Sequence, residues 1–157
     1  MRIVLPYPPG AVREYLIGVE EFTDLIPASL ITTRDTPDVI TRPFALIRPV
    51  VTPGKDPMLR RPMVQVDVYS PDLNVILASA DPEVVALFGG VDPEESTWNI
   101  AALAGELLGR ARQQTFRNCT WAAEWKEGPL SIPEKTRGED IPLFRSPVRV
   151  ELKMLVR

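Results

Sequence analysis

Few side chains in this 157-residue chain could do chemistry. There is no histidine, and Cys119 is the single cysteine. A histidine-containing zinc site, a Ser-His-Asp triad, a Cys-His pair and a disulfide within one chain are therefore excluded. Carboxylates stand side by side at Glu20 and Glu21, at Glu94 and Glu95, and at Glu139 and Asp140, and two carboxyls are what acid-base hydrolysis needs. Neighbours along a helix or strand point in different directions, so none of these spacings builds a facing pair, and the reading is a solvated surface. The run Gly90–Ser96, GVDPEES, is acidic but lacks the alternating ligand spacing and closing bidentate Glu of a calcium loop. It reads as a loop entering a helix. Neither glycine-rich phosphate motif occurs, and Cys119, with no base to activate it, is expected to be a small buried hydrophobe. No catalytic residue, cofactor or metal is expected.

Charge narrows the field further. Fourteen Arg and four Lys stand against 21 Asp plus Glu, a net charge of -3, which is not the strongly basic domain that sequence-specific DNA binding uses. The opening MRIVLPYPPG carries one cation and three prolines, unlike a signal peptide or an anchor. No apolar run approaches the roughly 20 residues that cross a bilayer, so a soluble protein made inside the cell, with no membrane partner, is expected. An apolar fraction of 45% and a charged fraction of 25% are those of a globular chain. The 17 prolines are dispersed between patterned segments, which marks rigid loops rather than low complexity.

The elements that must position these residues follow from periodicity. Val12, Leu16, Val19 and Phe22 recur at helical spacing, so an amphipathic helix is expected over Ala11–Leu25, with Gly10 as its N-cap and Pro27 as its stop. The β-branched run Ser29–Arg34 predicts a short strand. Phe44–Val51 predicts a second, whose Pro49 cannot donate to a ladder and so belongs at an edge or bulge. Met63–Tyr69 alternates Val64, Val66 and Val68 with Gln65, Asp67 and Tyr69, a clear strand. Asp81 and Pro82 open a short helix ending at Phe88. A long helix, capped at Ser96 or Thr97 and reaching about Phe116, carries Ile100, Leu103, Ala104, Leu107, Leu108 and Ala111 on its apolar stripe. Cys119–Gly128 then predicts a strand with Trp121 and Trp125 on the same side. The three tryptophans, Trp98 included, are expected in the core or in packing between elements, with an interface position as the alternative for one of Trp121 and Trp125. From Pro147 onward Val148, Val150, Leu152, Met154 and Val156 alternate with Arg149, Glu151 and Lys153.

These elements make a single α+β domain over 1–157. An antiparallel sheet of about four or five strands is packed by two helices on one face, with long loops at 52–62, 70–96 and 128–147. Arg60 and Arg61 with Lys55 could touch phosphates, but Asp56 offsets part of their charge, and contact with a protein partner is the better reading. An Arg-rich, Lys-poor surface suits pairing with carboxylates of a neighbouring subunit.

The order of elements, from an N-terminal amphipathic helix through MVQVDVYS and the Ala-rich WNIAALAGELLGRARQQTF to EWKEGPLSIPE and the terminal PVRVELKMLVR, resembles the tail terminator (tail completion) proteins of long-tailed bacteriophages. The resemblance covers most of Ala11–Arg157 and is one of pattern and size. It implies a tail-terminator-like fold and a virion protein without enzymatic activity. Such a protein sits at the head–tail junction and is assembled in the bacterial cytoplasm. Its copies form a homo-oligomeric ring, a hexamer, that caps the tail tube, halts its polymerisation and joins it to the head–tail connector or stopper. The major tail tube protein and the connector are then its partners, and genomic DNA passes through without specific binding. A weakly acidic lumen would repel phosphates and limit sticking. Candidate interface residues are Lys55, Asp56, Arg60 and Arg61 on the first long loop and Glu134, Lys135, Arg137, Glu139 and Asp140 on the last. Two other readings stay open: another ring component, whether a head-to-tail stopper, an adaptor or a tail tube subunit; and a cytosolic enzyme or ligand-binding domain, which would need a deep pocket with convergent polar groups.

Overall fold

The terminal strand organises the molecule. In the computed structural model, which describes residues 5–37, 40–53, 59–71, 75, 92–134 and 143–156, the elements are α1 (Pro8–Ile17), α2 (Glu20–Thr23), a 3-10 turn (Ala28–Leu30), β1 (Ile31–Thr32), β2 (Phe44–Val51), β3 (Leu59–Arg60), β4 (Met63–Pro71), α3 (Pro93–Gly109), β5 (Gln114–Phe116), β6 (Cys119–Glu127), β7 (Ile132–Glu134) and β8 (Leu143–Val156). The alternation that begins at Val148 buries Val148, Val150, Leu152, Met154 and Val156 on one face, and β8 starts four residues before the expected Pro147. β4 and β7 both pair with Leu143–Arg145, so they flank β8 on opposite sides. For the same reason β3 and β6, which share Met154 and Leu155, are opposite each other.

The fold is α+β, but the sheet is larger than the expected four or five strands. Six strands run in the order β1-β2-β4-β8-β6-β5, and β3 and β7 add to β8 off that path. It is also mixed, because β1 is parallel to β2. The extra strands come from inside the two excursions. Two or three residues are too few to carry a period-2 signal, and β3 and β7 exist because the 14-residue β8 outruns β4 and β6 and offers them free backbone groups. β2 has the expected bounds. Pro49 sits where β1 no longer pairs with β2, and the register against β4 shifts between Pro49 and Val51, so the missing donor is accommodated at an edge and a bulge together.

The first helix is broken where a continuous one was expected. Pro8 and Pro9 occupy the first turn, where no N–H is required, Tyr7 rather than Gly10 is the N-cap, and Gly18 ends α1. Val19 is extended, and Glu20 restarts the helix. On an unbroken helix Phe22 would lie about 240° round from Leu16; the break turns Phe22 and Ile26 into the core beside Val12 and Leu16. The strand expected over Ser29–Arg34 shrinks to β1, because Ala28–Leu30 coils into a 3-10 turn and Thr32 Oγ1 donates to the Asp35 carbonyl at 2.6 Å.

The long helix begins earlier and ends earlier than its period suggested. Asp92 caps it, accepting from the Glu94 N–H at 2.9 Å, with Pro93 at the first position. Thr97 lies inside the helix, buried, its hydroxyl donating to the Pro93 carbonyl. The chain leaves helix at Arg110, Gln113 takes a positive φ of 52°, and Gln114–Phe116 forms β5, the first arm of a hairpin with β6. The helix expected over Pro82–Phe88 lies outside the described residues.

α1 also shows how far the sheet curls. Arg13 Nε donates to the Ile31 carbonyl of β1 at 2.7 Å, while a Cβ on Gly10 would stand 3.1 Å from the Phe116 ring of β5. Tyr15 meets Trp121 of β6 edge-to-face at 5.7 Å and donates to the Leu107 carbonyl at 3.0 Å. Six flat strands would hold β1 and β5 about 24 Å apart. A helix of ten residues is only about 15 Å long, so contact with both outermost strands requires the sheet to wrap around it. The core so enclosed joins Val64, Val66 and Val68 of β4 to Ala101, Ala104 and Leu108 of α3.

Candidate interaction surfaces

Register decides which face each charged side chain occupies. Val64, Val66 and Val68 stand opposite Val150, Val148 and Ser146 on the inner face, which places Gln65 opposite Arg149 and Tyr69 opposite Arg145 on the outer one. A polar chain crosses this outer face over three strands. Arg145 Nε donates to Asp67 Oδ1 at 3.1 Å, Gln65 Nε2 donates to the same oxygen at 2.8 Å, and Arg149 Nε donates to Gln65 Oε1 at 2.9 Å. Arg149 Nη1 then approaches Glu127 Oε2 at 3.6 Å. Asp67 is only 1% exposed, so its charge is compensated by the guanidinium and the amide.

Charge is sorted between the two faces. The helices and their caps carry Glu14, Glu20, Glu21, Asp24, Asp92, Glu94, Glu95 and Glu106 against Arg13 and Arg110. The outer sheet face and its rim carry Arg48, Arg61, Arg112, Lys126, Arg145, Arg149 and Lys153 against Asp67, Glu124, Glu127 and Glu151. A net charge of -3 therefore hides an acidic helical layer and a basic sheet face.

Two grooves illustrate the difference. On the outer face a groove of about 300 Å³ runs over Ala122 between Arg61, Arg112 and Lys153, with Glu124 and Glu151 also on its walls. Arg112 is held in place by Nη1 donating to the carbonyls of Gly109, Ala111 and Ala123 at 2.8–2.9 Å. Beside the first turn of α3, a wider groove of about 440 Å³ is lined by Asp92, Glu94, Glu95 and Trp98. Its carboxylates have structural work: Asp92 caps the helix, and Glu94 accepts from the Ser131 hydroxyl. Among the described residues no group of three or more Cys, Asp or Glu could hold a metal ion.

Of the candidate interface residues, Arg61 is exposed at the groove, while Arg60 is half-buried in β3 opposite Met154. Glu134 ends β7 opposite Leu143. Lys55, Asp56, Lys135, Arg137, Glu139 and Asp140 lie outside the described residues. A short piece of each excursion is thus pinned to β8. Sequence reasoning left out Arg48, Arg112, Arg145, Arg149 and Lys153 as surface-forming groups. The alternation of the last strand was the available signal for Arg149 and Lys153. Cys119 is buried, as expected; Trp121 belongs to the core and Trp125, 39% exposed, packs between β6 and Gly105 of α3, while Trp98 is 41% exposed. Among the described residues no helix is long and apolar enough to cross a membrane.

No protein-family model matches this chain, and no curated protein matches it either. Among solved structures, a chain of the virion of a native gene transfer agent particle superposes on it with a TM-score of 0.50 at 10% identity, over 93% of this chain and 94% of that one; the likeness is one of fold, and it runs almost end to end.

Proposed function

We propose that this chain is a structural subunit of a phage-like virion and, within it, a tail terminator. Six copies form a ring that caps the tail tube, ends its growth and joins it to the head–tail connector, with DNA passing through a weakly acidic lumen. The observation that carries this reading is the fold likeness to a virion chain over 93% and 94% of the two lengths. A match of that extent compares nearly the full length of both chains rather than a shared motif. The order of elements, which resembles tail terminators, supports the finer assignment. No bond need be made or broken in this role: the curled sheet keeps each copy rigid, and surfaces of opposite charge meet neighbours. A ring requires heterologous contacts, one surface of a copy against a different surface of the next, and these close only when the rotation fits.

The test is the mass of the native particle combined with electron microscopy in the presence of purified tail tubes. A terminator gives single rings that bind tube ends and stop elongation. Open-ended cylinders formed by the protein alone identify a tube subunit, and rings that bind only the connector identify a stopper or adaptor. A protein that stays monomeric and binds neither overturns the assignment.

A further inference from the structure

The sorting of charge points to which surfaces meet. We propose that copies of this chain dock front to back, the acidic α1–α2 surface of one copy seating on the basic outer groove of the next; the inference rests on the ring reading above and names the contact that closes it.

The acidic side is built by the helix break. Gly18 and Val19 turn the chain so that Phe22 faces the core, and the same turn leaves Glu14, Glu20, Glu21 and Asp24 exposed. Among the described residues none of the four forms an ion pair. The opposite surface holds cations in the same condition. Arg61 and Lys153 are exposed and form no ion pair among the described residues, and Arg112 donates to backbone carbonyls and forms no ion pair among them either. Of the two carboxylates on the groove walls, Glu124 is already paired with Lys126 at 3.2 Å, so the groove is positive in balance.

Two further observations favour a second copy as the occupant. The surfaces lie on opposite sides of one sheet, the helices on the inner face and the groove on the outer, so one copy can present the first to a neighbour while its second receives another, as a head-to-tail contact between different surfaces needs. Leu155, 52% exposed on the outer face beside Lys153 and paired in register with Leu59, supplies an apolar contact at the rim, whereas solvated charges alone give steering and register more than affinity.

The experiment uses two double variants and their mixture. Glu20→Arg with Glu21→Arg makes the helical surface basic; Arg61→Glu with Lys153→Glu makes the groove acidic. All four side chains are exposed. By native mass spectrometry at about 50 mM salt, where surface charges are weakly screened, each variant alone sets like charges against each other and should associate at least about tenfold more weakly than the wild type. Mixed in equal amounts, the two present complementary surfaces at both contacts, and alternating copies should restore the wild-type mass in any even-membered ring, six included. Restoration also shows that both variants are folded. The proposal is overturned if either variant alone assembles as the wild type does, or if the mixture stays dissociated while both variants keep the wild-type circular dichroism melt. Should a reversal variant unfold, the neutral pairs Glu20→Gln with Glu21→Gln and Arg61→Gln with Lys153→Gln replace it, and assembly unchanged by both would overturn the contact. A wild-type ring indifferent to all of these substitutions removes this contact and leaves the ring reading standing, whereas a wild-type protein that stays monomeric at every concentration removes both.

Discussion

Gly105 of α3 lies directly beneath the indole of Trp125 in β6: a Cβ added to it would stand 2.7 Å from Trp125 Cε2 and 2.8 Å from Cδ2. That contact sets the spacing between the long helix and the sheet. Gly105→Ala should force the half-exposed indole outward and cost about 1–3 kcal/mol, the usual range for overpacking, seen as a melting temperature lower by several degrees. Tryptophan fluorescence should shift to the red as the ring gains water. Combining Gly105→Ala with Trp125→Leu should cost less than the two changes summed, because the collision is gone; additive losses would show that the contact is not limiting.

Asp67 should be the most costly polar side chain on the outer face to remove. Its oxygen accepts from both Arg145 and Gln65 while the residue is almost wholly inaccessible. Asp67→Ala leaves Arg145 without this partner and should destabilise by about 2–4 kcal/mol in urea unfolding. Glu124→Ala removes only an exposed pair with Lys126 and should stay within about 0.5 kcal/mol.

Gly128 closes β6 with φ +87°, and a Cβ there would collide with the backbone carbonyl of Pro147. Backbone cannot step aside as a side chain can, so Gly128→Ala should cost about 2 kcal/mol or more. Gly18→Ala is the matched control, because φ is -87° and the nearest atom is 3.4 Å away; it should be nearly neutral. Equal losses at the two positions would remove the backbone explanation.

Ser146 is 1% exposed on the inner face opposite Val68, and its hydroxyl has no hydrogen-bond partner among the described residues. A buried unpaired hydroxyl opposes folding, so Ser146→Ala should raise stability by about 1 kcal/mol with an unchanged denaturant slope. A clear loss of stability would show that the hydroxyl is partnered in solution.

How much of this protein its sequence determined depends on the range of the interaction. Alternation within one strand needs only neighbouring residues, and so the inner faces of β4 and β8, the bounds of β2, the awkward place of Pro49 and the burial of Cys119 were all legible. The apolar stripe of α3 was legible for the same reason, though a capping carboxylate at Asp92 and the turn at Gln113 moved both its ends. What needed the third dimension was everything set by partners far apart in the chain. β3 and β7 have no pattern of their own and form only against β8, and the break after Ile17 is imposed by the core that Phe22 must reach. The sorting of charge into an acidic helical layer and a basic sheet face depends on register. Arg149 meets Gln65 across 84 positions and Arg145 meets Asp67 across 78. A linear pattern reports which way a side chain points from its own strand, while only the folded sheet decides what lies beside it.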